Sequence, residues 1–317
     1  MRRPLVAALM LVQAGLTGLT AVTAVTAVTA LPAVAQPSLL ATVGMIADPA
    51  QRMAGPCVTV ETLIGAGLDP HLYQARPSDI RRLRSAGQIV ALGLSLEGRL
   101  ADILARTGAV ILGDAISQEG LLLYGDAPDP HIWMDPVMWA RSFGPLAQTL
   151  TALAPECAER IAAARAVETE RALALDDWAR ASLATIPAEQ RVLLTAHDAF
   201  TYFARTFDLQ NEAIQGISTA SEPSIADIDQ AAQLAADRGI PAAFIESTLN
   251  PRAVQALVEA ASARGHALVI GGSLYSDALG EAGSGADTWP GMIVSNVRVI
   301  TQALGGTPAV LPEGLLP

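Results

Sequence analysis

Short apolar runs alternate with longer amphipathic segments along most of the chain, the pattern of strand, crossover helix and parallel strand. In the first half, Leu39 to Met45 reads as a strand, Asp48 to Met53 as a short helix, and Val58 to Leu63 as the next strand. Pro77-Ser78-Asp79 opens a helix to Ser85 with Ser78 as its N-cap and Ile80 and Leu83 on one face. Gln88 to Leu92 and Ala109 to Leu112 follow as strands, and Asp135-Pro136 starts another helix, with proline where its missing N–H does no harm.

From about Pro155 to Ile186 the chain has no glycine and is rich in Ala, Arg and Glu. Its composition predicts one helix of roughly 45 Å. A helix of that length has a reason to exist if it joins two bodies, so it is read as a spine; the alternative is a surface helix of the second half. Beyond it the α/β pattern restarts. Strands are expected at Arg191–Thr195, Ala242–Ile245 and Ala267–Ile270, and helices at Ala199–Phe207, Ser224–Asp237, Pro251–Ala263 and Trp289–Leu304. The expected fold is α/β, with two lobes, each a parallel-type sheet flanked by helices, joined by one long spine helix. The lobes span residues 36–154 and 187–317, and the linking helix residues 155–186.

Residues 1–35 carry the features of an export signal. Arg2 and Arg3 precede an apolar stretch that runs from Leu5 through the AVTAVTAVTA repeat, and Ala33-Val34-Ala35 fits a cleavage site before Gln36. An uncleaved anchor is the competing reading. The general secretory route is favoured over twin-arginine export, and no Cys near the cleavage site supports a lipid anchor. A periplasmic location follows. Export permits a disulfide between the two cysteines, Cys57 and Cys157, but spacing alone leaves that pairing open against two buried thiols.

The chain of 317 residues, 51% hydrophobic, is long enough for two cores, which should be aliphatic because aromatics make up only 4%. A net charge of −11 without any Lys/Arg stripe argues against nucleic acid as a partner.

Four histidines occur, and three sit near the ends of apolar runs: His71 in GLDPHLYQARPSD, His131 in PDPHIWMDP and His197 in LLTAHDAF. His266, between Gly265 and Ala267, has no such context. His71, His197 and Asp277 (in GGSLYSDALG) each follow a predicted strand, where ligand groups gather in open α/β sheets. His131 precedes a helix on what should be the same face. Three imidazoles and a carboxylate form a first-row transition-metal set, with Zn2+ favoured and Mn2+ second. Two candidates lie before the spine and two after it, so the site belongs in the cleft between the lobes. Glu222 in the STASEPS loop and Glu246 after its strand are rival carboxylates.

Six stretches, GAGLDPHLYQARPSD, DPHIWMDP, TAHDAFTYFARTFDL, QGISTASEPS, FIESTLNPR and SLYSDALG, run in order across nearly the whole mature chain. Together they resemble the zinc/manganese substrate-binding proteins of bacterial ABC transporters, cluster A-I. The resemblance implies two lobes on one helix with the metal between them. It implies His71, His131 and His197 as ligands and makes Asp277 the preferred fourth. It also implies delivery of the ion to an inner-membrane ABC permease with a cytoplasmic ATPase, by a monomer without catalytic activity. Many zinc members carry a His-rich loop before the second ligand, whereas QEGLLLYGDAPD, Gln118 to Asp129, has no His. Members lacking that loop include both zinc and manganese binders. Two other readings remain in competition: a zinc hydrolase using the three histidines with Glu222 as base, although no HExxH motif occurs, and a periplasmic metallochaperone function.

Overall fold

A computed structural model describes residues 36–116 and 119–317; the export segment expected at 1–35 lies outside the described residues. The first half contains β1 (Ser38–Ala41), α1 (Gly44–Ala54), β2 (Thr59–Thr62), α2 (Pro77–Ser85), β3 (Gln88–Ala91), α3 (Ala101–Leu104), β4 (Val110–Ile111) and α4 (Leu112–Ala115). A small antiparallel pair follows, β5 (Leu123–Tyr124) with β6 (Ala127–Pro128), then α5 (Pro136–Ala140) and α6 (Phe143–Leu153). The spine is α7 (Ala158–Leu183). After it come β7 (Val192–His197), α8 (Thr201–Phe207), β8 (Gln210–Gln215), α9 (Ile225–Arg238), β9 (Ala242–Glu246), α10 (Arg252–Ala263), β10 (Val269–Leu274) and α11 (Trp289–Ala303).

Each half forms one four-stranded parallel sheet. The strand orders are β2-β1-β3-β4 and β10-β9-β7-β8. The α/β fold with two parallel sheets joined by a long helix is therefore as expected. In the second sheet the order reverses between β7 and β9, so the ends of these two strands open a crevice where ligands bind in such sheets.

At 26 residues, α7 is about 39 Å long. It packs against α1, α5 and α6 of the first half and α11 of the second. A surface helix of the second half alone would not touch both sides. Its buried Glu168 is paired with Arg52 of α1 and Arg171. One apolar cluster runs from Leu39 and Met45 through Trp133, Trp139 and Phe143 to Phe200, Phe203 and Trp289, so the two halves share a core. A smaller cluster lies between the second sheet and the helices α9 and α10. Cys57 and Cys157 form a disulfide, which ties the turn after α1 to the start of the spine. No described helix is long and apolar enough to cross a membrane.

Several expectations need correction. The first strand ends at Ala41, and α1 starts at Gly44 within the apolar run read as strand, because burial on both sides hides the change of period. The N-cap of α2 is Arg76, not Ser78; Pro77 takes the first helical position, and the Asp79 carboxylate accepts the Arg76 N–H at 2.8 Å. The single helix expected after Asp135 is split into α5 and α6. Strand β8, QNEAIQ, has no apolar period and went unpredicted; as an edge strand it is held by its ladder to β7. Strand β10 runs past the expected end at Ile270, through Gly271 and Gly272 to Leu274. A Cβ on Gly271 would stand 2.8 Å from both Ala303 and Phe244, so glycine here permits close approach of α11 and β9.

Candidate metal centre

His197 is the last residue of β7, a strand buried at every position, rather than a loop residue after it. His71 lies in the long connection between β2 and α2, His131 in the turn before a short 3-10 segment, and Asp277 just beyond β10. The fold brings these four together: one ligand atom from each lies within 4.8 Å of all the others. Asp277 occupies the middle. Its Oδ1 is 3.3 Å from His131 Nε2, and its Oδ2 is 3.2 Å from His197 Nε2 and 3.8 Å from His71 Nε2. Bonds of about 2.0–2.1 Å in a tetrahedron separate ligand atoms by roughly 3.4 Å, and the histidine contacts of Asp277, at 3.2, 3.3 and 3.8 Å, fall near the spacing of a first-row ion. None of the three Nε2 atoms has a hydrogen-bond partner among the described residues, although all are buried. Buried polar atoms left without partners are costly, and a cation at their common focus would satisfy all of them.

The DPH triplets have a local explanation. In each, the Asp carboxylate accepts the N–H of the histidine two residues on, at 2.8 Å for Asp69–His71 and 2.9 Å for Asp129–His131. Such turns set the direction in which the histidine leaves the backbone. Asp129 Oδ1 also lies 2.7 Å from His131 Nδ1. Glu246, weighed as a rival ligand, lies behind His197: Oε1 accepts its N–H at 2.8 Å and Oε2 lies 2.6 Å from its Nδ1. Carboxylates in those places keep the proton on Nδ1 and leave the Nε2 lone pair pointing at the centre. Glu222, the other rival, is exposed and outside the cluster. His266 stands apart, its Nε2 2.6 Å from the Ile240 carbonyl.

Aromatic side chains bind the two sides of the centre. The Trp133 ring packs edge-on against His131, and its Nε1–H donates to the Ser276 carbonyl, one residue before Asp277. Trp289 Nε1–H in turn donates to the Trp133 carbonyl. Sequence reasoning missed Trp133, Asp69 and Asp129 as supports. The repeated spacing of Asp two residues before His was the available signal.

Electrostatics divide the histidines. Burial lowers the His71 imidazole, against the pull of Asp277. For His131, burial acts downward too, but the adjacent carboxylates of Asp129 and Asp277 outweigh it and raise the ring to about 9. His197 is likewise raised, burial being overcome by Glu246 and Asp277. Burial would raise Asp277, but His197 and His131 hold it well below the usual carboxylate range. With neutral imidazoles, the carboxylates of Asp277, Asp129 and Glu246 more than balance a divalent ion.

Residues 39–303 match the family model described as ZnuA, zinc-uptake complex component A periplasmic. Among curated proteins, the chain is 37% identical over 277 residues to the zinc-binding protein TroA of Treponema pallidum, covering 86% of this chain and 90% of the other. It is 35% identical over 310 residues to the manganese-binding lipoprotein MntA of Bacillus subtilis, covering 96% and 100%. A solved structure of Treponema pallidum TroA superposes with a TM-score of 0.83 at 36% identity, over 85% of this chain and 99% of that one. The Fe(III)-bound YtgA of Chlamydia trachomatis superposes at 0.79 and 28% identity, over 86% and 100%.

Proposed function

The chain belongs to the zinc-uptake complex component A family, and on that premise we propose that it captures zinc in the His71–His131–His197–Asp277 centre and hands it to an ABC permease. It is a metal-binding substrate-binding protein of a metal-uptake system. Its working place is the periplasm; residues 1–35 serve as the export leader, and residues 36–154 and 187–317 act as lobes about the 155–186 link. The observation that carries this reading is the convergence of three unpartnered, buried Nε2 atoms on one buried carboxylate. Zinc is favoured because nitrogen donors outnumber the carboxylate and the spacing suits a small tetrahedral ion. The ion is cargo, so a centre closed by four protein ligands fits capture better than hydrolysis, which needs an open position for water.

A second reading, manganese, draws on one observation: both oxygens of Asp277 face histidines, so the carboxylate can bind with both and raise the coordination number. Titration of the metal-free protein with zinc and manganese in competition separates the two. Zinc should displace manganese at equimolar concentrations, and Asp277→Ala should weaken zinc binding by roughly a hundredfold or more, the loss of a charged ligand. Retention of manganese against zinc would overturn the zinc assignment. Unchanged zinc affinity in Asp277→Ala would remove Asp277 from the ligand set.

A further inference from the structure

The three histidines are not held alike. Asp129 and Glu246 each take both the backbone N–H and the Nδ1 edge of their histidine. Asp69 takes only the N–H of His71, through Oδ1. Its other oxygen, Oδ2, accepts the hydroxyl of Thr219 at 2.6 Å. His71 is also the ligand nearest solvent, 7% exposed against 1% or less for the other three, and it lines a cavity of about 660 Å³. An ion that enters or leaves with the least disturbance passes His71.

Thr219 lies in residues 216–223, the connection from β8 to α9 that contains STASEP. It is buried, at 6% exposed, between Ser218 and Ala220, which are exposed. Among the described residues, the Thr219–Asp69 bond is the only hydrogen bond that ties 217–223 to another element. Two cavities border the segment. His71, Ser218 and Glu222 line one; Asp69, Thr219 and Glu222 line the other, of about 530 Å³. There is room for this segment to swing without repacking a core.

We infer that the Thr219–Asp69 hydrogen bond is a latch that sets the residence time of the cargo. It rests on the metal-carrier reading above. While the bond is made, Asp69 is pinned between Thr219 and His71, and His71 is held against the ion. When it breaks, the turn bearing His71 and the 217–223 segment separate, and the ion leaves on that side. Thr219 is thus a positioning residue acting through Asp69, and the STASEP segment becomes the place where a docked partner could trigger release by pulling one hydroxyl away.

The test uses the full mature protein loaded with zinc. Release into excess chelator and association are measured by stopped flow for wild type, Thr219→Val and Thr219→Ser. Thr219→Val keeps the shape and loses the donor, whereas Thr219→Ser keeps the donor. A hydrogen bond to a charged group is strong enough for Thr219→Val to release zinc roughly tenfold faster or more. Association should be unchanged or modestly faster, Thr219→Ser should behave as wild type, and the metal-free melting temperatures should agree. Should valine crowd the segment and lower the melting temperature, Thr219→Ala replaces it under the same expectations. Release at the wild-type rate in a folded donor-less variant overturns the latch, as does a Thr219→Ser variant as fast as Thr219→Val. A wild-type chain that binds neither zinc nor manganese sinks the metal reading and the latch with it. Normal wild-type binding with unaltered release in the variant sinks the latch alone.

Discussion

Replacing Glu246 with Gln tests how far the support behind a ligand governs the centre. The wild-type carboxylate faces one residue twice: Oε1 accepts the His197 N–H at 2.8 Å, and Oε2 lies 2.6 Å from the ring Nδ1. Glutamine offers one oxygen and one NH2 group, so the wild-type pattern of two acceptors cannot be kept. If the NH2 faces the ring, the imidazole accepts at Nδ1 and carries its proton on Nε2, on the lone pair the ion requires. If it faces the backbone, a buried N–H goes unpaired at a cost of about 1–3 kcal/mol to the fold. In both arrangements a negative charge is lost from behind the ligand. Loss of such a support weakens metal binding by roughly 10- to 100-fold, or ~1.4–2.8 kcal/mol. Competition against a chromophoric chelator at pH 7.5 measures it, with the exposed Glu222→Gln as a control expected to match wild type. A Glu246→Gln protein with native circular dichroism and zinc affinity within about twofold of wild type would refute the reasoning, because the charge and tautomer arguments both require a loss.

Three other outcomes are expected. Converting Cys57 and Cys157 to Ala opens a loop closed across a sequence separation of 100, which should lower unfolding free energy by about 4–5 kcal/mol in guanidinium titrations. Glu97 is buried and accepts the Thr42 hydroxyl at 2.5 Å and the N–H groups of Leu92 and Gly93 at 2.9 and 3.0 Å. These hold a turn in which Leu94 and Ser95 have φ of 52° and 68°. Glu97→Ala should therefore destabilise the fold by about 3 kcal/mol or more in the same assay, while Glu222→Ala, on the surface, should not. Because His131 is raised to about 9, its proton favours the metal-free fold fully below the ordinary imidazole value, and this contribution is lost as pH rises through the raised value. Zinc must displace that proton, so its apparent affinity should rise with pH across this window, with proton release seen calorimetrically in buffers of different ionisation enthalpy.

Much of the architecture was legible because buried parallel strands and amphipathic crossover helices leave periods in the sequence, and a glycine-free stretch marks the spine. The elements that escaped notice lack such local signals. The polar strand β8 depends on its partner β7, and β10 runs on through Gly271 and Gly272 because α11 and β9 approach too closely for a side chain there.

By itself, the sequence determined the α/β alternation, the spine and the four residues worth watching. Strand period, helix propensity and the Asp-Pro-His turns are local properties, set by neighbours within a few residues. Only the tertiary structure decided that Cys57 meets Cys157, that Glu246 stands behind His197 instead of among the first four, and that Thr219 reaches Asp69 across 150 positions of chain. Such partners are chosen by the packing of two sheets against one helix. A carboxylate's role depends on whether its oxygens face a ring edge, a backbone N–H or the focus of three Nε2 atoms, and that direction exists only once the chain has closed around it.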